Sequence, residues 1–175
     1  APLPFVTCPQ ATPAKPMQQD TWYHRKISDT EVVVELMPHP QDRYWLYEEL
    51  CQRPLDGEGM EGSRVLVRGR APVWMYAYVA AVAVSAGARA VAVFQPQQEG
   101  SVDVYPLAAS NRDAPRWFDL ENRGHSLIAE FVETASGENW SVESVSDATR
   151  LERNDATEEL VVSGKGAVWM YASVV

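Results

Sequence analysis

The chain alternates between two hydrophobic periods. "EVVVELM" (Glu31–Met37) sets three valines between acids and reads as a strand. "PQDRYWLYEELCQ" (Pro40–Gln52) opens on proline and places Tyr44, Tyr47, Leu50 and Cys51 at helical spacing, which predicts a helix. The acidic, Gly-containing "DGEGMEGS" (Asp56–Ser63) is a loop, and "RVLVRG" (Arg64–Gly69) a second strand. Ala71–Ala86 is apolar almost throughout, with Pro72 in the first turn, where a missing N–H costs nothing. It falls short of the roughly 20 residues a bilayer span needs and reads as a buried helix. "AVAVF" and "SVDVY" follow as strands, joined by "QPQQEG" as a hairpin. The order is β-α-β-α-β-β, an α/β pattern. A helix apolar on nearly every side has to be covered all round.

The pattern is written twice. All six tryptophans pair at one offset: Trp22 with Trp117, Trp45 with Trp140, Trp74 with Trp169. At the same offset Glu35 meets Glu130, Glu48 meets Glu143, "VVVELM" meets "LIAEFV", and "VLVRGR" meets "LVVSGK", all without a gap. This is a tandem duplication. Residues 1–19 form a Pro-rich N-terminal segment, 20–114 unit one and 115–175 unit two, whose sequence stops before the counterpart of Ala81–Ala114 and is expected to be incomplete. "PFVTCPQ" (Pro4–Gln10) weakly matches "VAVFQPQ" (Val91–Gln97), so a circular permutation that completes unit two from the N-terminus is the alternative. The expected fold is two tandem β-α-β-α-β(-β) units, with two small sheets or one merged sheet, packed as a pseudo-dimer through their apolar helices.

Charge and cysteine content narrow the function. A net charge of −9 argues against a protein that coats DNA or RNA, because such affinity comes from neutralising phosphates. A small anion in a local basic pocket stays compatible with it. The only cysteines, Cys8 and Cys51, have neither metal-knuckle nor disulfide-framework spacing, which points to a reducing cytoplasm. The Pro-rich start has no basic-then-apolar order and does not read as a secretory leader.

The chemistry concentrates where a strand meets a helix. Unit one has Gly69-Arg70-Ala71-Pro72 there and unit two has Ser163-Gly164-Lys165-Gly166-Ala167. The first N–H groups of a helix lack internal partners, and the macrodipole places partial positive charge on them. Glycine lets the backbone approach closely, and Arg70 or Lys165 adds a full charge. Together these make a candidate phosphate pocket, although the spacing is not that of a Walker loop. The bland alternative is a tight turn with a solvated base. Trp74, Tyr76, Trp169 and Tyr171 suit base stacking or, on an apolar helix, the core.

"VLVRGRAPVWMYAYVAAVAVSAGARAVAVFQP" (Val65–Pro96) resembles the third class of type III CRISPR-associated ring nucleases. Their signature is a strand, Ser-Gly-Arg-Gly-Pro-hydrophobic-Trp-Leu, a helix, and a strand ending in Asp-Pro. "VVSGKGAVWMYA" (Val161–Ala172) is the closer match at the Ser-Gly-base-Gly core. The resemblance implies small dimeric α/β proteins that bind cyclic tetra-adenylate. It also implies Mn²⁺-assisted cleavage by a His late in the second helix and an Asp ending the next strand. Here Ser85 stands near the place of that His, and Gln95 precedes Pro96 in place of the Asp. His24, His39 and His125 read as exposed loop residues. A phosphodiesterase needs a base and acidic or imidazole ligands, which Gln does not replace.

The expected function is therefore cyclic oligoadenylate binding with weak or absent cleavage, by a cytoplasmic protein with no membrane attachment, as a homo-oligomer or in a CRISPR complex. The expected ligand contacts are Gly69, Arg70, Ala71, Gln95, Ser163, Gly164, Lys165 and Gly166. The alternatives are an interaction subunit of a type III assembly and an active nuclease with relocated catalytic residues.

Overall fold

A computed structural model of the chain describes residues 21–95, 99–106, 118–132 and 158–174. The strands are β1 (Tyr23–Ile27), β2 (Glu31–Leu36), β3 (Arg64–Gly69), β4 (Ala90–Gln95) and β5 (Gly100–Tyr105) in unit one, and β6 (Phe118–Arg123), β7 (Ser126–Phe131) and β8 (Glu159–Gly164) in unit two. The helices are α1 (Tyr47–Gln52), α2 (Val73–Ser85) and α3 (Val168–Val174). One sheet runs β1-β2-β3-β4-β5, with β2, β3 and β4 parallel and both outer strands antiparallel. The other runs β6-β7-β8, antiparallel then parallel, and so repeats the β1-β2-β3 arrangement.

The repeat holds residue by residue. Tyr23 faces Leu36 as Phe118 faces Phe131, and Leu36 pairs with Gly69 as Phe131 pairs with Gly164. Alternation in β2 and β3 points Val32, Val34, Leu36, Val65 and Val67 at one face, where they are buried. Val91, Val93, Val102 and Val104 extend that face across β4 and β5. Helix α2 covers it with Met75, Tyr76, Val79, Ala80 and Ala83. Its other sides are apolar because α3 packs beside it and also reaches β4 and β5. Phe118, Ala129, Phe131, Trp169 and Met170 belong to the same continuous core as the unit-one valines. The two units are packed, as the all-round apolar helix requires.

Several expectations need correcting. Strand β1 and its counterpart β6 were not predicted; "YHRKI" and "FDLENR" are polar edge strands with little alternation to read. Helix α1 starts at Tyr47 rather than Pro40. His24 lies on β1, not in a loop, though it is exposed as predicted. His39 is 8% accessible and buried, not exposed. Cys51 is disulfide-bonded, although the cysteine spacing suggested no disulfide framework and pointed to a reducing compartment; contacts of this kind are set by the fold and not by spacing. Cys8, Trp117, Trp140, the unit boundary near Ala114 and the suggested N-terminal completion lie outside the described residues.

Candidate functional site

Each strand–helix junction is closed by a tyrosine. The Tyr76 hydroxyl donates to the Gly69 carbonyl, and the Tyr171 hydroxyl donates to the Gly164 carbonyl. Burial pushes the Tyr76 phenol above its ordinary range, so it remains a donor. Gly69 has φ +119° and Gly164 φ +98°, which only glycine adopts readily. A Cβ on Gly69 would lie 2.2 Å from the Leu36 carbonyl oxygen, and one on Gly164 would lie 2.8 Å from the Phe131 nitrogen. The duplicated "VWMYA" is thus the first turn of a helix whose tyrosine ties it back to the strand it follows.

In unit one the junction opens on a cavity of about 590 Å³, lined by Pro38, His39, Asp42, Arg43, Tyr44, Trp45, Arg70, Ala71, Pro72 and Val73. It lies between the segments leaving the C-terminal ends of parallel neighbours β2 and β3. Ligands of open α/β sheets bind at such an edge. Trp45 fixes the outer wall by donating its indole N–H to the Met37 carbonyl at 2.7 Å. The His39 ring meets Trp45 edge-on at 4.4 Å, its Nδ1 accepts the Gln41 N–H, and its Nε2 lies 3.5 Å from Glu49. Arg43 donates to both Glu49 oxygens and to the Tyr44 carbonyl. Glu49 also accepts the Leu46 N–H at the head of α1. Arg43 is therefore held in place, while the Tyr44 side chain is 77% accessible. Arg70 is exposed at the mouth and forms no ion pair among the described residues.

The Arg43 guanidinium, assisted by the Leu46 N–H and by His39, lowers the Glu49 carboxyl from 4.5 to about 2. A carboxyl whose folded pKa is depressed stabilises the fold above its unfolded pKa, and that contribution is lost as pH falls through the folded value. Acid titration of Glu49→Gln should therefore show a shallower loss of stability between about pH 4.5 and 2 than the parent. Equal slopes would mean that the wall does not depend on this carboxylate.

Of the predicted ligand residues, Arg70 and Ala71 line the cavity. Gly69 lies one residue before them and serves the turn. Gln95 ends β4 at the same edge and is buried, but does not line the cavity. Ser163, Gly164, Lys165 and Gly166 occupy the equivalent junction on the second sheet. Gly166 has a packing role: a Cβ there would lie 2.6 Å from the Phe131 ring. The Ala167 N–H donates to the Met170 sulfur at 3.3 Å. Sequence reasoning missed His39, Asp42, Arg43 and Tyr44 as cavity residues, because the segment reads as helix when only periodicity is used.

The Mn²⁺ implied by the family resemblance does not fit the described residues. No three of their His, Cys, Asp or Glu side chains are grouped to hold a metal ion. Gln95 presents an amide where the resemblance implies a carboxylate. No helix among the described residues is long and apolar enough to cross a membrane.

Residues 43–109 match the family model for a CRISPR-associated protein, Cas_csx3. The matched stretch begins at cavity residue Arg43 and takes in α1, β3, the Gly69–Pro72 junction, α2, β4 and β5; it is less than half of the chain. That stretch thus carries the pattern of a CRISPR-associated family. No curated protein and no solved structure matches the chain.

Proposed function

We propose that the protein binds a cyclic oligoadenylate, or a similar anionic nucleotide, in the unit-one cavity as part of a CRISPR defence system. The observation that carries this reading is Arg70, an exposed cation without an ion pair among the described residues. It stands at the mouth of a cavity beside the start of a 13-residue helix. Arg43, paired with Glu49, and the exposed Tyr44 put a guanidinium and an aromatic face on the same wall. Cleavage is weak or absent in this reading, because Gln95 and a His-free α2 supply neither a base nor a carboxylate. The units are taken as residues 20–114 and 115–175, acting in the cytoplasm alone as an oligomer or within a CRISPR complex.

Titration with cyclic tetra-adenylate and cyclic hexa-adenylate tests this directly. Arg70→Ala should weaken binding by roughly 1.5–3 kcal/mol, the range of a charge-assisted hydrogen bond. The loss should shrink as salt rises, while the melting temperature changes little, as for other exposed charges. An interaction subunit without a ligand is the second reading. It is favoured by the structural tasks already assigned to Gly69, Tyr76 and Gly166, none of which needs an anion. Absence of binding to either ring would select it.

A further inference from the structure

We infer that the two units have diverged in charge, so that each chain holds no more than one anionic ligand, at Arg70, while the Lys165 junction is purely structural. This deepens the nucleotide-binding reading and rests on it. The backbone frame is the same in both units. Strands β6, β7 and β8 keep the register of β1, β2 and β3, and the tyrosine-to-glycine-carbonyl bond recurs. A difference in function therefore has to come from the side chains placed on that frame.

Those side chains change in one direction. In unit one Arg70 has no ion pair among the described residues, and Pro72 has no N–H to engage. In unit two the Ala167 N–H, at the Pro72 position, is taken by the Met170 sulfur. Ala71 lines the cavity, whereas its counterpart Gly166 is closed against the Phe131 ring.

The sequence differs too at the positions that correspond to the unit-one wall. The positions of Pro38, His39, Arg43 and Tyr44 correspond in sequence to Glu133, Thr134, Glu138 and Asn139. In unit one Glu49 already pairs with Arg43, which leaves Arg70 and Asp42 as the other charged residues lining the cavity. The aligned unit-two positions carry Glu133, Gly137 and Glu138 in sequence, beside the Lys165 counterpart of Arg70. Like charges near a bound phosphate oppose it and opposite charges favour it, most strongly where solvent is partly excluded. An aromatic face for a base is offered at Tyr44, and an amide stands at its register position.

The test is calorimetric titration of cyclic tetra-adenylate into the full chain and into Arg70→Ala and Lys165→Ala, with thermal melts to confirm that each is folded. No more than one ligand per chain is expected. Arg70→Ala should raise Kd at least about tenfold, the size of one charge-assisted contact, and Lys165→Ala should change it less than about twofold. Two ligands per chain, or equal losses from the two substitutions, would overturn the divergence and leave the nucleotide reading standing. A folded parent that binds no ring would overturn both.

Discussion

Gly69→Ala should be the most destabilising single substitution in unit one, lowering stability by about 4 kcal/mol or more. Two costs coincide. A side chain at φ +119° is strained by about 1–3 kcal/mol. The new Cβ would also lie 2.2 Å from the Leu36 carbonyl oxygen and 2.7 Å from the Leu36 nitrogen. These are backbone atoms of the paired neighbouring strand and cannot rotate away, so relief requires β2 and β3 to separate at the core edge. Gly62→Ala separates the two costs. Gly62 has φ +68°, but nothing lies within 4 Å of a Cβ there, so only the conformational cost of about 1 kcal/mol is expected. Urea unfolding of both variants gives the comparison. Equal losses would show that the close approach of the two strands contributes nothing.

The sequence alone carried the frame of the molecule because the frame rests on strong signals. The valine runs of β2, β3 and β4 and the all-round apolar α2 have one physical solution each, a buried strand and a helix covered on all sides. Duplication added a second sample of the same junction, and so exposed Gly69/Gly164 and Tyr76/Tyr171 as paired positions. The reason for the pairing was hidden, since a hydroxyl reaching back seven residues to a carbonyl depends on the angle between strand and helix. Strand β1 was illegible because Arg25 faces Asp56 and Glu58 instead of a core, leaving a charged edge with no period. The cavity wall was misread for a related reason. Tyr44 and Tyr47 sit at helical spacing, but the helix starts only at Tyr47, where Glu49 folds back to the Leu46 N–H. The stretch before it follows Trp45 and His39, whose packing is a property of the assembled fold.

Gly166→Ala should destabilise unit two by about 1–3 kcal/mol, and the loss should be largely recovered when Phe131→Leu is added. The pair is a volume exchange between the repeats. In unit one Leu36 ends β2 and Ala71 enters α2; in unit two the same positions hold Phe131 and Gly166. The larger ring leaves no room for a methyl group, with Cδ2 at 2.6 Å and Cε2 at 2.9 Å from a Cβ on Gly166. Phe131 cannot easily turn aside, because it is 5% accessible and meets the Tyr171 ring edge-on at 4.7 Å. Phe131→Leu alone removes ring atoms from the core and leaves a void next to Gly166, which is itself costly. The double variant restores the combination that unit one already uses, so the two changes should couple favourably by at least about 1 kcal/mol in a double-mutant cycle. Losses that simply add would show that Gly166 is glycine for another reason, and a direct contact between its backbone and an anion would then be the first to examine.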